Sequence, residues 1–431
     1  MFASSNSPIK TTSYKVILPF YAYAAVSFFI AALLVFINPS IFQAHHFHPH
    51  TLAITHIMAL GWGTMMILGA SHQLFPVIIE GKLYSNFLAY LSFFSAGIGI
   101  PLLIYSFYIF QFGSTAQLGG ILINVAVLSY LINFWISIAQ VKTPSIHAIF
   151  VFSSVLWLLL TTFFGLLLLY NFTMDVFSES SVHYLSLHAH LGVIGWFLLM
   201  VMGVGSRLIP MFLISKYENK KMLNWIYLLI NAGLIAFIIL FIYFPNPSYY
   251  LFPIGLIGAA ILIFGKFLKR CHKQRIRKKV DGQVRLSLLS VLFNFIPIVI
   301  IALAITLFYE NTHKELILLY GFMIFFGWIT AIIMGMTFKT LPFIVWNKVY
   351  SSIAGIAKTP NPKELFSDKI YLINTLIYLM GIAVFIVGIL VSNIVLLTIG
   401  ASLLLIAAFL YNLNLFKVIF HKRRINDRRT R

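Results

Sequence analysis

One cysteine, Cys271, stands in 431 residues, and only 10 acidic residues oppose 30 basic ones. A lone cysteine excludes an intrachain disulfide framework and a thiolate metal cluster. It also excludes covalently attached haem, because Cys-x-x-Cys-His needs two cysteines. Charged residues make up 9% of the chain, hydrophobic residues 61%, and the mean hydropathy is +0.96. So little charge cannot cover a soluble fold of this length, which makes the chain an integral membrane protein in contact with lipid. Apolar runs that alternate every second residue are also lacking, so an outer-membrane barrel is excluded and the fold class is all-α. The net charge of +20 does not point to nucleic acid, since the basic residues fall in short runs between apolar segments, where they act as topology signals. No cleavable signal peptide is expected: the first apolar segment is long enough to span and follows Lys10 and Lys15 without a small-residue cleavage site.

What is present is a motif that recurs three times. Thr55-His56-Ile57-Met58-Ala59-Leu60-Gly61-Trp62 runs on through Gly69 to Pro76. A second copy runs from His190 through Gly195-Trp196 and Gly203 to Pro210, and a third from Phe322 through Gly327-Trp328 and Gly335 to Pro342. The step from Trp to Pro and the step from Trp to the second Gly are the same in each copy. Self-similarity at a fixed period is the signature of internal repeats.

Runs long enough to cross about 30 Å of hydrocarbon, at ~20 residues each, number twelve. They fall near 14–37, 51–79, 85–109, 117–138, 144–170, 183–214, 222–244, 249–268, 286–308, 315–346, 369–391 and 393–416. Three motif copies in twelve spans give three pseudo-symmetric four-helix repeats of one membrane domain, about 14–138, 144–268 and 286–416, followed by a basic tail over 417–431. The motif lies on spans 2, 6 and 10.

Lysine and arginine gather in alternate loops: Lys82, Lys142, Lys216 with Lys220 and Lys221, Lys269 to Lys279, Lys348 to Lys369, Lys10, and the tail from His421 to Arg424. The positive-inside rule places these loops and both termini in the cytoplasm. The opposite loops carry Asp175, Glu179, Glu310 and the run His45-His46-Phe47-His48-Pro49-His50. A plasma (inner) membrane is the expected location. Gln73, Arg207 and Lys339 occupy one column three residues before the motif proline, where snorkelling to cytoplasmic headgroups competes with a proton-path or substrate role.

The histidines carry the functional reading. An imidazole in hydrocarbon is costly without a partner, so His56 and His190, at the same position of two copies, are candidate ligands for haem iron or copper. Helix-to-helix hydrogen bonding is the plain alternative. His188, two residues from His190, points about 200° away from it on a helix, so it serves a second cavity or the helix mouth unless the helix is distorted. His183 reads as a surface residue. His72 has Ser206 and Phe338 at its equivalents and reads first as a satisfied core histidine, with ligand or proton-carrier roles open. His45, His46, His48 and His50 form a loop dense enough in imidazole to take copper or zinc, or simply a solvated polar loop. The repeated glycines allow close approach of helices or of a flat cofactor.

Twelve spans in three four-helix arcs, with histidine on the second helix of an arc beside Gly-Trp and Pro, resemble the catalytic subunit of the haem–copper oxidase superfamily, which includes nitric oxide reductase. The resemblance covers most of the chain in architecture and few residues in detail. It implies a low-spin haem ligand at His56 and a metal ligand at His188 or His190. The chain departs from that pattern where span 10, Leu316 to Trp346, and span 7, Met222 to Phe244, contain no histidine. A two-haem and copper centre therefore cannot be assembled from the family's usual ligands. What the resemblance leaves is one haem b between His56 and His190, with Met58 or Met200 as substitute axial ligands. The expected function is a haem-binding protein of electron transfer or of oxygen or nitric oxide handling, an oxidoreductase short of a complete proton pump. Its electron donor would be quinol or a separate cytochrome. Two other readings stand beside it: a copper-handling transporter that collects metal at the outer histidines, and an assembly factor whose histidines only pack.

Overall fold

A computed structural model describes residues 12–79, 82–141, 143–307 and 314–423; Lys10, Lys142, Glu310, His313 and Arg424 lie outside them. Among the described residues, twelve helices are long and apolar enough to cross a membrane: Tyr14–Ile37, Pro49–Pro76, Asn86–Tyr108, Ser114–Ala139, Ile146–Met174, Leu185–Leu213, Lys220–Tyr243, Pro247–Lys273, Gly282–Leu307, Lys314–Ile353, Asp368–Leu390 and Ile394–Ile419. Among the described residues there is no strand, only two isolated bridges. Span 10 runs seven residues beyond the sequence expectation, past Pro342. Its extension is tied down by the Trp346 indole, which donates to the Pro360 carbonyl (2.6 Å).

The three motif helices form the centre. Their most apolar windows are 72%, 61% and 72% buried for spans 2, 6 and 10, against 50% or less for every other span. The remaining helices surround them. The last helix of each repeat packs on the first helix of the next, span 4 on 5, 8 on 9 and 12 on 1, which closes the ring. Exposed leucine, isoleucine, valine and phenylalanine cover the outer surface of this ring, for example Phe94, Leu160, Ile239 and Leu376. Such a belt is suited to lipid.

The repeated residues of the motif each have a packing reason. A Cβ at Gly69 would lie 2.6 Å from the Phe20 Cβ, and one at Gly203 would lie 2.5 Å from the Phe150 Cβ. One at Gly335 would collide with the Ser287 hydroxyl. These are equivalent crossings of span 1 on 2, span 5 on 6 and span 9 on 10, so the glycine is where the first helix of a repeat presses on the second. The tryptophans link the repeats to one another. The Trp62 Nε1 donates to the Thr330 Oγ1 and the Trp196 Nε1 donates to the Thr64 Oγ1, each at 3.0 Å. Each threonine sits two residues after its own motif tryptophan. Leu198 occupies the third such position, so the cycle of indole and hydroxyl is open there.

Each motif helix also contains a π-helical segment at the same place: Ile57–Thr64, Leu191–Leu198 and Met323–Ile329. A π-turn inserts a residue and leaves backbone groups looking for new partners. In the third repeat the Tyr378 hydroxyl lies 2.6 and 2.8 Å from the carbonyls of Phe326 and Gly327. Both histidine-bearing copies have their histidine immediately before the π-segment, at its first boundary.

On the face that carries the basic loops, Asp281 precedes span 9 and pairs with Lys339, with Lys363 (2.8 Å) and with Arg277 (3.0 Å). Burial alone would raise the Asp281 carboxyl. The hydrogen bonds and charges of Lys339 and Lys363 outweigh it and hold the group below the ordinary aspartate range. Lys339 is thus neutralised by a carboxylate from the preceding loop, and its side chain is only 10% exposed.

Candidate cofactor cavity

A cavity of about 570 Å³ lies between spans 2, 6 and 10 at the end that bears the histidine-rich loop, with spans 3, 4, 5 and 9 contributing to its walls. His56, His188 and His190 all line it, as do His46 from the loop and His183 at the rim. No lysine, arginine, aspartate or glutamate lines it among the described residues. Its size falls within the range of ligand pockets.

The histidines are arranged in pairs that cross from one repeat to the next. The rings of His56 and His188 have centroids 6.4 Å apart with planes inclined by 20°. His190 does not join them. Its Nδ1 donates to the Ser186 carbonyl (2.7 Å) and its Nε2 accepts from the Tyr320 hydroxyl (3.0 Å), so both nitrogens are occupied. The pairing expected from the sequence, His56 with His190, is therefore replaced in the structure by His56 with His188. The reason is the rotation about the central axis. His56 and His190 stand six residues before their tryptophans, while His188 and Tyr320 stand eight before theirs. Each residue at the first position meets the residue at the second position of the following repeat, not its own equivalent.

Local structure fixes the state of each ring. The His56 Nδ1 lies 2.8 Å from the Leu52 carbonyl one turn earlier. A carbonyl only accepts, so Nδ1 carries the hydrogen and, in the neutral ring, Nε2 keeps its lone pair. Phe107 packs on the same ring with centroids 4.4 Å apart. His188 rests against Gly165 of span 5, where a Cβ would lie 2.7 Å from the imidazole Cε1. Its Nδ1 is buried and has no hydrogen-bond partner. The backbone of Thr161 on span 5 lies within hydrogen-bonding influence of the same ring.

The spacing of His56 and His188 is the observation that bears on a bound haem. An imidazole nitrogen lies about 1.1 Å from its ring centre and metal–imidazole bonds are about 2.0–2.1 Å, so two imidazoles in line on one metal have centroids roughly 6.3 Å apart. The observed 6.4 Å matches that separation and also lies within the range of an offset-stacked ring pair. The cavity is apolar apart from a few side chains, as a flat macrocycle requires. Met58 and Met200 are both fully enclosed in the packing, at 0% and 2% exposure, and Met200 does not line the cavity.

The loop histidines form two separate pairs. His45 and His46 lie with centroids 4.1 Å apart, His48 and His50 with centroids 5.1 Å apart. His50 stacks on Tyr108 at 4.3 Å and lies 3.1 Å from the Asn38 amide. Among the described residues no group of three or more histidine, cysteine, aspartate or glutamate side chains is placed to hold one metal ion. His46 has its pKa lowered by burial and by the neighbouring His45.

His72 lies elsewhere, fully buried among Phe20, Phe75 and Tyr130. Its Nδ1 donates to the Leu68 carbonyl (2.6 Å), while its Nε2 has no partner. It does not line the histidine cavity. A smaller cavity of about 100 Å³ follows on the central axis, and Phe197 lines both.

Two site residues escape a reading based on histidine alone. Tyr320 supplies a hydroxyl from span 10, which carries no histidine, and Gly165 makes room for His188 from span 5. Tyr320 occupies the alignment position of His188, so superposing the copies on their tryptophans would have exposed it. Nothing in the sequence marks Gly165.

The fold and cavity define a twelve-span α-helical membrane protein of three pseudo-symmetric repeats with a histidine-lined cavity at one end. Compared with known families and characterised proteins, the chain is matched by no family model and no curated protein.

Proposed function

We propose that this protein binds one haem b in the histidine cavity through His56 and His188 and works in electron transfer or in the handling of oxygen or nitric oxide. The observation that carries the reading is the pair of near-parallel imidazoles 6.4 Å apart in a large apolar cavity. When bound, the haem would supply one-electron exchange at its iron and, if a ligand site opens, affinity for a diatomic gas.

The chain's own residues have separate duties in this scheme. Leu52 fixes the His56 tautomer through its carbonyl, which keeps Nε2 available as a ligand. Gly165 leaves room for the Cε1 edge of His188 against span 5. Ser186 and Tyr320 hold His190 away from the first pair and leave a hydrogen-bonded imidazole on the same cavity wall. The absence of charged side chains from the described lining keeps the site's local dielectric low.

The resemblance to the haem–copper oxidase catalytic subunit supports this reading in architecture, and the missing histidines of spans 7 and 10 argue against a complete proton-pumping oxidase. Electrons would come from a quinol or a separate cytochrome. The distribution of basic loops supports a plasma (inner) membrane location with both termini in the cytoplasm. Purified protein should show a Soret band that sharpens and shifts on dithionite reduction and that is lost in His56→Ala. A folded, colourless preparation free of porphyrin overturns the proposal.

A further inference from the structure

The cavity contains two further buried polar atoms without partners, the His46 Nδ1 and the Thr51 Oγ1. The other hydroxyls of the lining are largely spent. Thr161 donates to the Trp157 carbonyl, Thr162 to Asn124, Ser181 to the Leu168 carbonyl, and Tyr320 to His190. Thr51 lies five residues before His56 on the same helix, about 7.5 Å along its axis. The displacement is toward the loop that carries His46. The cavity is therefore graded: imidazoles deep, apolar walls around them, and two unpartnered polar atoms at the loop end.

A buried polar atom without a partner costs free energy comparable to a lost hydrogen bond; the Thr51 hydroxyl, and the His46 ring in its Nδ1–H tautomer, are both satisfied by one kind of partner, an acceptor that belongs to the ligand. Haem b is a flat apolar ring with two carboxylates on one edge. With no lysine or arginine in the described lining, those carboxylates have only neutral donors to meet. We infer that His46 and Thr51 form the carboxylate anchor of the cavity, each donating one hydrogen bond to a propionate at the loop end. This inference rests on the haem reading. It assigns His46 a role as a positioning residue for the cofactor instead of a ligand in a metal-collecting loop. Hydrogen bonds to a charged acceptor are shorter and stronger than neutral ones, so two such donors also set which way round the ring enters.

The test compares two probes in the full-length protein: ferric protoporphyrin IX and its dimethyl ester, which lacks the carboxylates. Release is followed optically by transfer to excess apomyoglobin. The double variant His46→Ala with Thr51→Val should release protoporphyrin haem roughly tenfold or more faster than wild type. It should release the ester at the wild-type rate. His46→Gln and Thr51→Ser, which keep a donor, should retain near-wild-type release of both. Equal release by variant and wild type, or equal acceleration for both probes, overturns the anchor. A wild-type protein that takes up neither probe overturns the haem reading itself, and the anchor with it. Elution of each variant as a monodisperse species in detergent separates loss of the anchor from loss of the fold.

Discussion

His56 and His188 belong to different repeats and to different positions within their repeats, yet their rings lie 6.4 Å apart and nearly parallel in one cavity. His190, the sequence equivalent of His56, is bound instead to Tyr320. This offset assigns different outcomes to substitutions at two histidines separated by one residue. On the haem reading, His188→Ala and His56→Ala should each abolish the Soret band. His190→Ala should retain it with at most a shift in position. Optical spectra of the three variants at equal protein concentration check this, and loss of the band in His190→Ala with retention in His188→Ala reverses the assignment.

Tyr320→Phe removes the hydroxyl that donates to the His190 Nε2 and leaves that nitrogen without its partner. An unsatisfied buried acceptor costs about 1–3 kcal/mol. The thermal unfolding midpoint in detergent should fall, while any haem band persists. Unchanged stability would mean that water replaces the hydroxyl from the cavity.

The two indole–threonine links join the repeats at the centre of the bundle. Thr64→Val and Thr330→Val keep the side-chain shape but leave the Trp196 or Trp62 Nε1 without an acceptor. Each should lower stability by roughly 1–3 kcal/mol. Leu198→Val, at the position where the cycle is already open, should cost less than either. Parallel denaturation of the three variants decides the point.

At the helix crossings, Gly69→Ala and Gly203→Ala would each place a methyl group well inside the van der Waals distance of a phenylalanine Cβ. Overpacking of this kind costs typically 1–3 kcal/mol. Gly265→Ala, where nothing stands within 4 Å, should be neutral or mildly stabilising. Expression yield and unfolding midpoint measured side by side provide the comparison.

Asp281 gives a pH dependence of defined sign. Its carboxyl is held below the usual aspartate range, against the effect of burial, by Lys339 and Lys363. A depressed carboxylate contributes stability that is fully present above the unfolded value of about 3.9 and is lost as pH falls through the folded one. Wild-type protein should therefore lose unfolding stability below about pH 4. Asp281→Asn should be less stable at neutral pH and show a shallower acid loss. A variant with an undiminished acid slope would place the titration at another group.

The sequence by itself determined the class of this protein, because bilayer thickness and the cost of unpaired backbone groups leave only long apolar helices once charge is as scarce as it is here. It also revealed the repeats, since a glycine needed at each helix crossing and a tryptophan seven residues before it recur at fixed spacing. It marked His56, His188 and His190 as costly in an apolar segment. Tertiary structure alone decided which of them meet. Helical periodicity relates residues along one helix, whereas the contact between His56 and His188 depends on the rotation of one repeat against the next about the central axis. The clearance at Gly165 and the unpartnered atoms of His46 and Thr51 arise in the same way, from packing between segments distant in the chain.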